Sequence, residues 1–323
     1  MRSLLFLFIF CSGAIIVSAQ TDTLKRKLPT VSDSVLSLLR GPDLIPGPVF
    51  STKRLKFVIG SETALGIGSI IALNSVWYKD YPRTAFHFFD DSREWLQMDK
   101  AGHVVTSCYI GRIGTESLLW CGVKPKQAAW YGGALGFIYQ SGLEMLDGFS
   151  SGWGFSWSDV GANALGSAAC ISQQLFFHGQ RFAFKVSYHS TSFASIRPEL
   201  LGNGPAERMF KDYNGQTYWL SMNISSFFNC GNNFPKWLGL AVGYGAEGMI
   251  GGNSNPLYDK NGNTYPQFDR YRQFYFSLDA DLWRIKDLPR FLQAFTRTFG
   301  FIKIPFPALE FSKHGVKGYY LYF

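Results

Sequence analysis

Between Asp99 and Ser167 the chain is apolar and rich in Gly, Ala and Ser, and that background is interrupted by Asp99, His103, Glu144, Asp147, Asp159 and Asn163. The stretch reads DKAGHVVTSCYIGR at Asp99–Arg112 and YQSGLEMLDGFSSGWGFSWSDVGANALGS at Tyr139–Ser167. Burying such groups without partners costs several kcal/mol each. A fold that packs these segments must therefore bring the polar groups together. The result is either a site or a structural polar network, and the pattern alone leaves both open.

Helical segments are expected at about Lys100–Cys121, Lys126–Leu146 and Ser156–Phe177, with small residues that let helix backbones approach closely. Asp99 is placed to cap the first, and Ser156-Trp157-Ser158-Asp159 is a capping-box pattern opening the last. Ahead of them, Leu55–Tyr78 is apolar and long enough to span a bilayer. Gly60, Ser61, Glu62, Gly66, Gly68, Asn74 and Ser75 weaken that reading, and the basic flank Lys53, Arg54 and Lys56 would lie on the exported side, against the positive-inside tendency. A tightly packed bundle helix is at least as well supported. After Gly179 the period changes to two: Phe182, Phe184, Val186 and Tyr188 alternate with Ala183, Lys185, Ser187 and His189. Alternation returns at Tyr218–Ser226, Leu238–Gly248, Arg272–Trp283 and Val316–Phe323, with turn chemistry at Asn261-Gly262. Pro305 and Pro307 demote Ile302–Phe311 to an edge strand or a bend. The expected fold is α+β: an apolar helical bundle at about 54–178, then an antiparallel β-sheet or small β-barrel at about 180–323.

Apolar residues at 46% exclude disorder. An aromatic share of 17% with charged residues also at only 17% suits a chain that places apolar surface in a membrane or a large core. The formal charge is +8, but basic runs do not extend beyond Lys53-Arg54 and the Lys25–Lys27 cluster. That, together with export, argues against a nucleic-acid partner. Export is read from the N-terminus: Arg2, the apolar run Leu4–Val17 and the small-residue site Val17-Ser18-Ala19 form a signal peptide at 1–19, with Gln20 as the mature start. A polar, Pro-punctuated lead-in follows at 20–53, with one short helix near Val31–Leu39. Cys11 lies within the apolar run and lacks the small residues before it that lipid attachment needs. Cys108, Cys121, Cys170 and Cys230 form no disulfide framework and no metal pair; Cys108 and Cys170 read as small buried helix residues.

Asp99 and His103 share a helix face one turn apart, Glu144 and Asp147 are an i, i+3 pair, and Asp159, Asn163 and Gly166 step along another face. Short connections favour antiparallel neighbours, so the three faces can converge. Carboxylates around one imidazole suit a divalent metal or a general acid and base whose pKa values burial drives apart. Catalytic candidates are His103, Glu144 and Asp159; ligand or ion-binding candidates are Asp99, Asp147 and Asn163. The competing reading is structural, since Asp99 and Asp159 have capping work to do and Asp147-Gly148 marks a helix end. HExxH, Walker and zinc-spacing motifs are all missing from the sequence.

The order DKxxH, an apolar helix with Glu near its end, then SxxDxxxNxxG resembles the VanZ-like family over about residues 55–177. It is carried by Asp99-Lys100, His103, Glu144, Ser156, Asp159, Asn163 and Gly166. A closer resemblance, over nearly the whole mature chain, is to the uncharacterised YfiM-like family of predicted periplasmic lipoproteins. Its marks here are Glu94-Trp95-Leu96-Gln97-Met98-Asp99-Lys100, the run Asp147–Asp159, Asp212-Tyr213-Asn214-Gly215-Gln216-Thr217-Tyr218, and the closing strands. This resemblance implies an envelope protein without an established activity. The VanZ-like one implies a membrane-associated helical module.

The end of the chain, Lys317-Gly318-Tyr319-Tyr320-Leu321-Tyr322-Phe323, looks like the C-terminal assembly signal of outer-membrane barrels, with an ordinary final strand as the alternative. The expected function is that of a cell-envelope protein, associated with the outer membrane or its periplasmic face. Its role would be structural or partner-binding, toward membrane lipid or other envelope proteins. The alternative is a membrane-boundary enzyme acting on a lipid or isoprenoid-linked envelope precursor. The two differ in geometry: an enzyme's polar cluster opens onto a cavity, whereas a structural network is sealed and fully hydrogen-bonded.

Overall fold

Glycine decides how the helices meet. In the computed structural model, helix α2 (Met98–Trp120) lies against α4 (Leu135–Asp147) and α5 (Trp157–Phe177) with backbones nearly touching. A Cβ on Gly136 would sit 1.9 Å from the Ser107 carbonyl oxygen, and one on Gly166 would sit 2.2 Å from that of Val104. No other residue fits at either crossing. The structure describes residues 49–323 except 75–77, 79–80, 229–233, 286–287, 290–291, 293–294 and 297–298. The expected signal peptide, most of the lead-in, the Val31–Leu39 helix, Cys11 and Cys230 lie outside the described residues.

Helix α5 begins where the capping pattern places it, with Ser156 Oγ accepting the Asp159 backbone N–H at 3.1 Å. The segment expected as one helix over Lys126–Leu146 is instead α3 (Pro125–Gly133) followed by α4, with a shallow break at Ala134. The Gly-rich sequence around that break makes it inexpensive. Helix α1 (Thr52–Leu73) corrects the expectation of a tightly packed bundle helix. It buries only Val58, Ser69 and Leu73 and exposes Phe57, Ile59, Ile67 and Ile71. Among the described residues it is the one helix long and apolar enough to cross a membrane. Cys108, Cys121 and Cys170 are buried free thiols.

The second half is a six-stranded antiparallel meander in sequence order: β1 (Phe182–Tyr188), β2 (Gln216–Asn223), β3 (Leu238–Glu247), β4 (Tyr271–Ala280), β5 (Phe306–Ser312) and β6 (Gly315–Tyr322). It does not close into a barrel. The outer edge of β1 instead takes Phe301–Lys303, with Val186 N–H donating to the Phe301 carbonyl at 2.8 Å and Lys303 N–H to that of Val186 at 2.9 Å. Contrary to the reading of Ile302–Phe311 as an edge or a bend, β5 is an interior strand. Pro307 is tolerated because pairing with β4 ends at Ala308 and the β5–β6 register shifts between Phe306 and Ala308. No ladder bond is needed from the proline nitrogen.

The sheet has inverted polarity. Leu220, Val242, Phe276 and Leu309 pair across four strands on the outer face and are 37%, 53%, 44% and 45% exposed. The inner face buries Lys185, Ser221, Gln273, Ser277, Asp279 and Glu310. Lys185 Nζ lies 2.6 Å from Asp279 Oδ2, which also accepts from Ser221 Oγ at 2.5 Å. The sheet curls around this polar interior until β2 and β6 meet, Thr217 Oγ1 and Tyr322 OH lying 2.9 Å apart.

Replacing Gly136 with Val forces α2 and α4 apart. Such overpacking costs roughly 1–3 kcal/mol, and more where backbone must move. Thermal denaturation of Gly136→Val is expected to show a Tm lowered by several degrees, while Gly142→Ala, where a Cβ meets nothing within 4 Å, leaves it unchanged or slightly raised.

Candidate functional site

Asp99 does not cap α2. The helix is entered through Trp95, Leu96 and Gln97, all left-handed, with φ of 49°, 49° and 63°. Each such non-glycine residue costs roughly 1–2 kcal/mol, so the turn persists only because its surroundings hold it. Trp95 N–H donates to the Gly252 carbonyl at 2.9 Å, Tyr244 OH donates to the Leu96 carbonyl, and Arg272 reaches Gln97 Oε1 at 2.5 Å. The sheet thus clamps the start of α2 and sets the direction of the Asp99-Lys100 pair. Asp99, released from capping, accepts from Tyr213 OH at 2.5 Å.

Lys100 Nζ sits 2.7 Å from Asp91 Oδ2, 2.7 Å from Asp159 Oδ1 and 3.2 Å from Asp99 Oδ2. Asp91 is held in turn by Ser156 Oγ and Ser158 Oγ at 2.6 and 2.8 Å. One turn along α2, His103 is 3% exposed. Its Nδ1 lies 2.9 Å from Asn163 Oδ1, which also accepts from Ser107 Oγ at 3.2 Å. Because that amide oxygen only accepts, Nδ1 carries the proton in this arrangement. His103 Nε2 then faces Asp99 Oδ2 at 3.7 Å, Asp159 Oδ1 at 3.7 Å and Glu144 Oε1 at 3.8 Å. Glu144 is 2% exposed, and its Oε1 has no hydrogen-bond partner among the described residues. Asp147 accepts from Tyr78 OH at 2.5 Å.

This cluster opens onto a cavity of about 650 Å³, whose lining includes Asp91, Asp99, His103, Glu144, Asp147 and Asp159. Tyr81, Phe89 and Trp153 also line it, as do Arg197, Glu199 and Lys211. Burial and the carboxylates of Asp159 and Asp147 hold the Glu144 carboxyl far above the usual carboxylate range. Burial, then Asp99, raises Asp159 as well. Burial pushes the Asp147 carboxyl up to about 7, against the Tyr78 hydrogen bond that lowers it. Burial also opposes the Lys100 ammonium, but Asp99, Asp159 and Asp91 outweigh it and raise its pKa. A protonated carboxyl beside an oriented imidazole is an arrangement suited to general acid and base work.

All the residues singled out in the sequence meet here: Asp99, His103, Glu144, Asp147 and Asp159 at the cavity, and Asn163 behind His103. Sequence reading missed Asp91, the central position of Lys100, and the contributions of Tyr78 and Tyr213. Lys100 and Tyr213 lay inside quoted motifs. The signal for Asp91 was an acidic pair, Asp90-Asp91, just ahead of the first motif.

Asp147 has a folded pKa above its unfolded one. Its protonated form therefore stabilises the fold fully below the unfolded pKa near 4, and that contribution is lost as pH rises toward about 7. In EDTA, Tm is expected to fall across this window, by at most about 1.4 kcal/mol of stability per pH unit from this group. Thermal denaturation against pH is expected to give a shallower slope for Asp147→Asn. An identical slope in wild type and variant rules the assignment out.

No curated protein and no solved structure is measurably similar to this chain. Residues 87–174 match the family described as predicted periplasmic lipoprotein (DUF2279). That span contains Asp91, Asp99, Lys100, His103, Glu144, Asp147, Asp159 and Asn163. The VanZ-like resemblance is not carried by these comparisons. The segment that carries the acidic cluster is thus similar to the family described as predicted periplasmic lipoproteins, which supports an exported protein of the cell envelope.

Proposed function

We propose that this is an outer-membrane-associated envelope protein whose sheet rests its apolar face against lipid and holds the Asp99–His103–Glu144–Asp159 pocket at the membrane boundary. The inverted sheet carries the reading. A row of exposed apolar side chains backed by buried Lys185, Asp279 and Glu310 is the wrong way round for water and matches the apolar-out, polar-in alternation of outer-membrane strands. Exposed Phe274, Leu278 and Phe311 extend the row into a patch, and contiguous apolar surface of this kind marks contact with a membrane or a protein. The weakly buried α1 fits the same placement. The role at that boundary is structural or partner-binding, toward lipid or other envelope proteins.

A second reading, a membrane-boundary enzyme acting on a lipid or isoprenoid-linked envelope precursor, is favoured by one observation. The polar cluster is not sealed but opens onto a cavity whose lining also includes the aromatic residues Tyr81, Phe89 and Trp153 and the basic residues Arg197 and Lys211, a composition that suits an amphiphile with an anionic headgroup. In that reading His103 is the base, Glu144 the acid, Asp99 and Asp159 orient, and Asn163 supports His103.

The placement is tested by flotation with phospholipid vesicles. Wild type is expected to co-float, and Phe276→Asp with Leu309→Asp to lose most of that binding while keeping its circular dichroism. Equal flotation of the double variant rejects it. The enzyme reading is tested on a polyprenyl diphosphate in detergent micelles. Phosphate release that falls about 100-fold in Glu144→Gln, corresponding to roughly 2.7 kcal/mol, with Tm unchanged supports it. No release by wild type removes it for that substrate class.

A further inference from the structure

We propose that Asp99, His103 and Asp159, with Glu144 on the fourth side, form a binding site for one divalent transition-metal ion. The ligand atoms of Asp99, His103 and Asp159 lie within 4.8 Å of one another. Three carboxylate oxygens surround His103 Nε2 at 3.7, 3.7 and 3.8 Å. Those separations are too long for hydrogen bonds. Nitrogen and oxygen ligands held at about 2.0–2.2 Å in a tetrahedral arrangement stand roughly 3.4 Å apart, so sharing an ion asks the carboxylates to close on Nε2 by only ~0.3 Å and on one another from within 4.8 Å.

Two features outside the acidic cluster point the same way. The first is Glu144, which is 2% exposed and aims an oxygen without a hydrogen-bond partner among the described residues at His103. An acidic group left so at the base of an open cavity is suited to a cation entering from that cavity. The second is the support behind the imidazole. Asn163 Oδ1, steadied by Ser107, accepts the Nδ1–H hydrogen bond and turns the Nε2 lone pair toward the carboxylates. Metal-bound histidines are oriented in the same way by a partner on the distal nitrogen.

Charge completes the case. Asp91, Asp99, Glu144, Asp147 and Asp159 line the pocket, with Lys100 paired to Asp91, Asp99 and Asp159, and Glu94, Glu199, Arg197 and Lys211 are the further charged groups of the lining. Lys100 pairs with the same Asp99 and Asp159 oxygens that face His103. Each carboxylate oxygen has two lone-pair directions, so it can bridge the ammonium and an ion. One imidazole with carboxylates favours a first-row transition ion over Mg²⁺ or Ca²⁺, which prefer oxygen alone. The proposal rests on the pocket's own geometry, so its failure leaves the membrane placement standing.

The test uses the full chain purified in detergent, stripped with EDTA, desalted, and titrated with ZnCl₂ and with MnCl₂ by calorimetry. Saturable binding of about one equivalent of at least one ion is expected. His103→Ala and Asp159→Asn are each expected to weaken it at least 10-fold, and Glu144→Gln to weaken it less. Glu199→Gln, in the cavity lining but outside the proposed ligand set, is expected to bind as wild type. No saturable binding of either ion overturns the proposal, as does stoichiometric binding that survives both His103→Ala and Asp159→Asn. If His103→Ala loses its circular dichroism, Asp99→Asn at the cavity edge decides: weakened binding supports the site and unchanged binding overturns it.

Discussion

Backbone contact between α2 and its neighbours underlies everything else in this molecule. The carbonyls of Val104 and Ser107 press against Gly166 and Gly136 at distances that leave no room for a side chain. Because the helices meet there, Asn163 comes within 2.9 Å of His103, and Glu144 and Asp159 reach the same imidazole. A wider helix separation would leave each polar group alone in apolar surroundings, at a cost of several kcal/mol apiece. Close packing and polar convergence are thus two aspects of one constraint.

The second constraint comes from the sheet. Its inner face combines Lys185, Asp279 and Ser277, together with Lys303, with the buried aromatic cluster of Trp219, Tyr275 and Tyr322, Lys303 Nζ bonding Ser277 Oγ at 3.0 Å and the Leu278 carbonyl at 2.9 Å. With these groups occupying the inside, the apolar residues of alternate positions point outward. The same sheet reaches the site through the clamp on Trp95, Leu96 and Gln97. Backbone strain held by surrounding structure is commonly found at functional positions, and here it lies directly before Asp99-Lys100. The surface that the sheet presents and the orientation of the pocket are therefore linked mechanically.

Lys100 shows how finely the pocket is balanced. It neutralises part of the charge of Asp91, Asp99 and Asp159, and burial shifts the remainder by raising Glu144, Asp147 and Asp159. Removing one carboxylate therefore changes the protonation of the others, and single substitutions here are not independent.

Much of this was legible in the chain itself. Small residues at helical spacing marked the close-packed helices, Ser156 and Asp159 marked the start of α5, and period-two alternation located every strand except β5. Asp99, His103, Glu144, Asp147, Asp159 and Asn163 stood out because polar groups in apolar helices need partners. Three things were decided only in three dimensions. Pro307 sits inside the sheet because a register shift spares it a hydrogen bond, and register is a property of strand pairs. Asp99 serves the pocket rather than the helix end because a left-handed turn, held by distant Tyr244 and Arg272, starts α2 before it. Which face of each strand meets water was equally hidden. Alternation separates two faces but does not say which is inside, and that was settled when Lys185 met Asp279 across the curl of the sheet.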